Sequence, residues 1–194
     1  MRYHDPEHRF EKDFWGDCCN TFAEEMKQLE YARRMQLMPD AFFRIDARNK
    51  NILDIGGGPV SLLLKCYNLG DASRVLDPIR YPEWVYYRYS AHGIWTTTLS
   101  GEDAHSVPPI FDEVWIYNTL QHCVDPEKII ANAKRAAPVL RIFEWVNFPP
   151  HPGHPHELKS QDLDRWIGSG GANIEYLSTN GCYGMSYYGV FKHV

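Results

Sequence analysis

The sequence predicts an α/β fold: a doubly wound, mostly parallel sheet of seven strands carrying an N-terminal helical addition. Three observations lead there. From Asn51 onward, short apolar β-rich runs alternate with helical stretches, the pattern of a parallel sheet covered on both faces. The first of these runs ends directly in Gly56-Gly57-Gly58, at the strand end where such sheets meet their ligands. The last two apolar runs follow one another without a helix between them, which predicts a closing hairpin at the sheet edge.

Taken in order, residues 20–37 place Phe22, Met26, Leu29 and Met35 at helical spacing, with acids early and Arg33 and Arg34 late, as an amphipathic helix with a favourable macrodipole requires. "NILDI" is the first sheet strand, and "VSLLLKCYNL" after the glycines reads as the helical stretch leading to "SRVLD". A helix or turn through "PEWVYYRYSAHG" then precedes the strands "IWTTTL" and "FDEVWIYN". "PEKIIANAKRAA" is a helix with Pro126 in its first turn, and "PVLRIFEWVN" is the next strand. "FPPHPGHPHELKS" is a Pro/His loop, "SQDLDRWIG" a short helix with Ser160 as N-cap, and "ANIEYLS" with "YGMSYYGVFKHV" the closing pair. The whole chain, 1–194, reads as one domain: a helical addition over 1–45, a ligand-binding core over 50–145, and a loop, helix and hairpin over 146–194.

Bulk properties narrow the function. With 44% hydrophobic and 23% charged residues the composition is that of a globular domain. A net charge of −5 argues against nucleic acid, which needs clustered Lys and Arg. No apolar run approaches the ~20 residues that span a bilayer, and "MRYHDPEHRFEKDFW" is too polar for a signal peptide, so a cytoplasmic protein is expected. The five cysteines contain no CxxC pair and predict neither a disulfide framework nor a zinc ribbon.

The glycine turn calls for a nucleotide-like ligand, and Asp54 helps to choose it. A dinucleotide brings a pyrophosphate, for which an acid two residues before the first glycine is a poor neighbour. S-adenosylmethionine carries a sulfonium and an ammonium and tolerates that carboxylate. Ser61 also stands where the third glycine of the dinucleotide fingerprint would be. Asp77 closes the next strand, where a carboxylate can accept both hydroxyls of a ribose.

With "LDIGGGPVS", "VLDP", "GEDAHSVP" and "FDEVWIYNTLQHCVDPEKII" in this order, the chain resembles class I S-adenosylmethionine-dependent methyltransferases of the small-molecule type. The resemblance implies S-adenosyl-L-methionine as cofactor and a small-molecule acceptor. It implies that Gly56 and Gly58 approach the methionine part, that Asp77 takes the ribose, that Asp103 and Ala104 face the adenine edge, and that Asp54, Gly57, Pro59 and Pro78 belong to the same cofactor-binding set. Asn118, Thr119 and Leu120 would then sit beside the transferable methyl. Val60 stands where many relatives have glycine, and residues 78–102 match no motif of the family beyond Pro78.

For the acceptor, the DNA amino-methyltransferase signature is absent from Tyr117-Asn118-Thr119-Leu120, and Cys123 lacks the preceding proline of the cytosine-C5 enzymes. His122 is the titratable group nearest the expected methyl position: a general base, or a histidine packed on the turn. The His151–Glu157 loop offers His156 or Glu157 as a base in an acceptor wall, or is merely solvated; its broken backbone suits no metal, and none is expected. Trp15, Glu24 and Glu25 would cover the cofactor, or belong to a helix packed on the sheet edge. Two alternatives stay open: a non-catalytic adenosine-binding module and an NAD(P)-dependent oxidoreductase. The oligomeric state is not legible.

Overall fold

The computed structural model describes residues 6–108, 110–169, 173–179 and 182–192. The chain runs through α1 (Pro6–Trp15), α2 (Thr21–Arg34), β1 (Ile45–Lys50), β2 (Ile52–Ile55), β3 (Cys66–Leu69), β4 (Arg74–Leu76), α3 (Glu83–Ala91) and β5 (Trp95–Thr97). It continues through β6 (Glu113–Tyr117), α4 (Pro126–Ala136), β7 (Val139–Val146), α5 (Ser160–Ile167), β8 (Asn173–Thr179) and β9 (Cys182–Lys192). The main sheet has seven strands in the order β5-β4-β2-β6-β7-β9-β8. All its pairings are parallel except those of β9, which runs antiparallel to β7 and β8. Every sheet strand expected from the sequence is present, including the closing pair; parts of that pair, Ala172 and the terminal His193 and Val194, lie outside the described residues, as do residues 1–5 of the N-terminal addition.

Order matters because β2 is central: the chain winds outward through β4 and β5 on one side, then returns through β6 on the other. The carboxyl ends of β2 and β6 therefore form the switch point where open parallel sheets leave a crevice. One face of the sheet packs on α4 and α5 through Ile129, Ile130, Ala133, Leu163 and Ile167. The other packs on α2 and α3 through Tyr31, Ala32, Met35, Val85 and Tyr89. α4 starts sharply because Asp125 accepts the Lys128 N–H and Pro126 occupies the first turn.

Three expectations are corrected. "VSLLLKCYNL" does not form an α-helix: it makes two 3₁₀ turns, Gly58–Val60 and Leu62–Lys65, and then the strand β3. The N–H groups of Ser61 and Leu62, which would begin a helix, are instead satisfied by the hydroxyls of Tyr89 (2.8 Å) and Tyr117 (2.9 Å). Ser61 is extended (φ −53°, ψ 147°), and β3 pairs in parallel with β1 to make a small second sheet that the sequence did not suggest. The second correction is at α5, where Ser160 is the first helical residue and Lys159 takes the cap position without a side-chain bond. The third is α2, which stops at Arg34 rather than reaching Leu37.

Candidate functional site

The glycine turn leaves β2 with Gly56 at φ +74° and Gly58 at φ +62°, left-handed conformations that side chains resist. A Cβ on Gly56 would stand 2.2 Å from Thr119 Cγ2, so β2 and β6 approach as closely as they do only because this side chain is missing. A Cβ on Gly57 would stand 2.7 Å from Asp54 Oδ2. The turn is tied to the end of β4, where Asp77 Oδ2 accepts the Gly58 N–H at 3.0 Å. Asp77 Oδ1 accepts the Ile79 N–H at 2.9 Å and the Tyr81 hydroxyl at 3.2 Å. Burial outweighs these three donors and pushes Asp77 up to about 6.

Asp54 does not reach the crevice. It is fully buried behind the turn, where its Oδ2 accepts from the hydroxyls of Ser61 and Tyr117. Burial is the largest influence on it and pushes it up to about 7, against the two hydroxyl bonds. Its place is beneath Gly57, holding Ser61 and Tyr117, rather than on the ligand side as the charge argument had it.

Across from the turn, Asn118 follows the last residue of β6 in a left-handed conformation (φ +51°), which turns the chain into Thr119 and Leu120. Glu144, buried on β7, fixes this turn by accepting the Thr119 N–H at 3.0 Å and the Leu120 N–H at 3.0 Å. Burial pushes Glu144 up to about 7.

Between these turns and the N-terminal helices lies a cavity of about 480 Å³, within the range typical of small-molecule sites. At one end, the glycine end, Gly56, Gly57 and Gly58 meet Asp77, Pro78 and Tyr81. Trp15 of α1 covers them, with its Cζ2 3.7 Å from where a Gly58 Cβ would be. At the other, the aromatic end, Tyr31 of α2 faces Trp145 and Phe148 at the end of β7, with Gln28 and Lys27 beside them. Asn118, Thr119 and Gln121 lie in the wall as well.

α1 closes the mouth against the Pro/His loop. His151 and His154 exchange backbone hydrogen bonds (2.9 and 2.8 Å), and the tight turn brings Gly153 under the Phe10 ring, where a Cβ would be 2.4 Å from a ring carbon. His122 Nδ1 bonds the Gly153 carbonyl at 2.6 Å and lies 3.1 Å from Glu11 of α1. Burial would lower His122, but Glu11 and the carbonyl outweigh it and raise it, while the same pairing overcomes burial to lower Glu11. Burial, reinforced by His122 and His151, pushes His154 down to about 4.

Of the residues singled out in the sequence, Gly56, Gly57, Gly58, Asp77, Pro78, Asn118, Thr119 and His122 line this cavity. Asp54, Pro59, Asp103, Ala104 and Leu120 do not. Pro59 and Leu120 are buried beside their turns, Ala104 is buried, and Asp103 accepts from Ser100 Oγ at 3.1 Å. His156 and Glu157 are not in the wall either: the hairpin at His151 directs His154 inward and leaves Glu157 exposed near Lys159. Trp15 and Glu24 reach the cavity, but Glu25 pairs with Lys65 and Arg88 outside it. Sequence reading missed Glu11, Gln28, Tyr81 and Glu144. A helical pattern over Pro6–Trp15 with Phe10 and Phe14 four apart was the available signal for Glu11; the others carry no motif.

Among the described residues, no group of three or more His, Cys, Asp and Glu side chains is arranged to hold a metal, and no helix is long and apolar enough to cross a membrane.

No protein-family model and no curated protein sequence matches the chain. Among solved structures it is similar to a possible histamine N-methyltransferase from Thermotoga maritima, an S-adenosylmethionine-dependent methyltransferase, at a TM-score of 0.58 and 13% identity over 95% of this chain and 99% of that one. A methyltransferase of the same dependence from Aquifex aeolicus aligns at a TM-score of 0.55 and 18% identity, covering 96% and 98% of the two chains. The 1,6-didemethyltoxoflavin-N1-methyltransferase of Burkholderia thailandensis, solved with its substrate and S-adenosylhomocysteine, aligns at 0.57 and 13% identity over 94% and 83%. The chain has the fold of the class I S-adenosylmethionine-dependent methyltransferases.

Proposed function

We propose that the protein is an enzyme that transfers a methyl group from S-adenosylmethionine to a small-molecule acceptor. The observation that carries this reading is the glycine turn: it opens onto Asp77 and is followed by 3₁₀ turns, with no α-helix behind it. A dinucleotide's pyrophosphate would find no α-helix N-terminus there, whereas Asp77 suits the ribose of either ligand. S-adenosylmethionine needs neither a helix nor a phosphate site.

In this reading Asp77 accepts the ribose diol, and Gly56 to Gly58 let the methionine part lie against the backbone. Pro78 and Ile79 supply apolar contact, while Asn118 and Thr119 border the methyl, held by Glu144. Asp103 and Ala104 remain the residues proposed for the adenine edge, reached once the cofactor is seated. The cofactor supplies a carbon already activated by its sulfonium. The protein's own task is to align the acceptor in line with it and exclude water, with the proton released to His154, the neutral member of the His122–His154 pair. Segment 1–45 acts as the lid, 50–145 as the cofactor core and 146–194 as the acceptor wall and closing strands. We place the enzyme in the cytoplasm, where Cys18, Cys19, Cys66 and Cys123, all free, stay reduced.

Thermal melting with S-adenosylmethionine, S-adenosylhomocysteine and NAD tests this. A ligand at a hundredfold excess over its dissociation constant adds about 2.7 kcal/mol of stability. The two sulfur ligands are expected to raise the melting temperature and NAD to leave it unchanged; a rise with NAD alone would return the site to a dinucleotide.

A further inference from the structure

We infer that the acceptor is a neutral, planar aromatic molecule bearing an O–H or N–H donor, with its ring against Phe148 on the wall that Tyr31 and Trp145 back, and its donor on the side-chain carbonyl of Gln28. The word acceptor rests on the methyltransferase reading above; the chemistry rests on the aromatic end of the cavity. Its rings are fixed before a ligand arrives. Tyr31 stacks on Phe143 with centroids 4.0 Å apart, and its hydroxyl accepts from Trp145 Nε1 at 3.3 Å. Trp145 meets Phe148 edge-on at 6.3 Å. Phe148 is seated by Gly184 on β9, where a Cβ would stand 2.5 Å from the ring. Tyr31 (1% exposed) and Trp145 (6%) back this wall and Phe148 is its half-buried face, so a planar ligand covers a ring that is already fixed, with little loss of side-chain freedom.

Gln28 supplies the polar contact. It lies in the cavity wall at only 8% exposure, yet its Oε1 has no hydrogen-bond partner. Buried acceptors are nearly always satisfied; turning the Gln28 amide about its last torsion exchanges Nε2 and Oε1 and brings the carbonyl to the cavity side, where a donor of the ligand satisfies it.

The charges nearby are already matched. Lys27 pairs with Glu24 at 2.6 Å, and His122 with Glu11 at 3.1 Å. His154, held down at about 4, is neutral at neutral pH. A cationic or anionic acceptor would shed its hydration here with no unmatched counter-charge among these groups to receive it. Asp77, the cavity carboxylate outside these pairs, belongs to the glycine end.

The test uses 2-naphthol, 2-methoxynaphthalene, trans-2-decalol and 2-naphthylmethylammonium, titrated calorimetrically into the protein with and without S-adenosylhomocysteine. The expected result is that 2-naphthol binds about tenfold more tightly than its methyl ether, as one hydrogen bond allows, and more tightly than the saturated alcohol or the cation. Gln28→Met should bring 2-naphthol and its ether within about twofold of each other while leaving S-adenosylhomocysteine affinity unchanged. The inference is overturned if 2-naphthol does not bind, if the ether or decalol binds as well, or if the cation binds best. These ratios are read on the wild-type protein, so they decide the matter even if the variant misfolds. Failure of S-adenosylhomocysteine to bind overturns the methyltransferase reading instead, and the ratios measured without it still judge the aromatic end.

Discussion

At the glycine end of the cavity the surface is mostly backbone: two left-handed glycines, N–H groups aimed at Asp77, and a strand-to-strand contact that excludes even one methyl. At the aromatic end the surface is side chain, assembled from α2 and the end of β7, with rings held by one another and the charge of Lys27 paired with Glu24. The difference separates tolerance from chemistry. A backbone site accepts one ligand geometry and is damaged by the smallest substitution, whereas a side-chain site can be re-cut for a new ligand while the fold persists.

The sharpest break of that comparison is Gly56→Ala. The new Cβ meets Thr119 and the backbone is held in a left-handed conformation, which together cost about 3 kcal/mol or more. Denaturant unfolding measures it, and adding Thr119→Ala should restore the part owed to the clash but not the part owed to φ. Equal stability of Gly56→Ala and wild type would mean that the strands need not approach so closely.

A smaller effect comes from pH. Burial raises Asp77 to about 6, and the ribose hydroxyls bond its ionised form, so protonation competes with the cofactor as pH falls through that value. Affinity for S-adenosylhomocysteine should be level above about pH 7 and drop by roughly tenfold per pH unit below 6. Calorimetry from pH 5 to 8 reads this; affinity that rises on acidification would remove Asp77 from the site.

The smallest concerns Tyr81. A carboxylate offers about four acceptor positions, and Gly58, Ile79 and Tyr81 already use three of those on Asp77. A ribose diol needs two, so the side-chain donor at 3.2 Å must give way. Tyr81→Phe is therefore expected to tighten the cofactor by about two- to tenfold, since each such bond is worth about 0.5–1.5 kcal/mol. Weaker binding in the same titration would show instead that Tyr81 helps the bound state.

The two ends also differ in how far they could be read from sequence. Gly56 to Gly58 and Asp77 follow apolar runs at strand ends, and period and position alone bring them to the crevice. Tyr31 and Trp145 lie 114 residues apart, and nothing local marks either as a wall residue. The missing helix after the glycines has the same origin: "VSLLLK" has helical spacing, but its N–H groups are claimed by Tyr89 and Tyr117 from other elements. Glu144 looked like one more strand residue because its task, holding the Thr119 turn, is set wholly by burial. In the Pro/His loop the composition was informative and the orientation was not. The exchange of hydrogen bonds between His151 and His154 decides which histidine faces inward.

The central claim is that one cavity has two separable ends, and paired titrations of S-adenosylhomocysteine and 2-naphthol into Asp77→Ala and Phe148→Ala address it most directly. Loss of bonds to a charged group should cost Asp77→Ala about 1.5–3 kcal/mol of S-adenosylhomocysteine binding and leave 2-naphthol unchanged. Phe148→Ala, which removes a half-buried ring rather than a core one, should weaken 2-naphthol by about tenfold and leave S-adenosylhomocysteine within twofold. If each folded variant weakens both ligands alike, the cavity is a single site and the division proposed here is wrong.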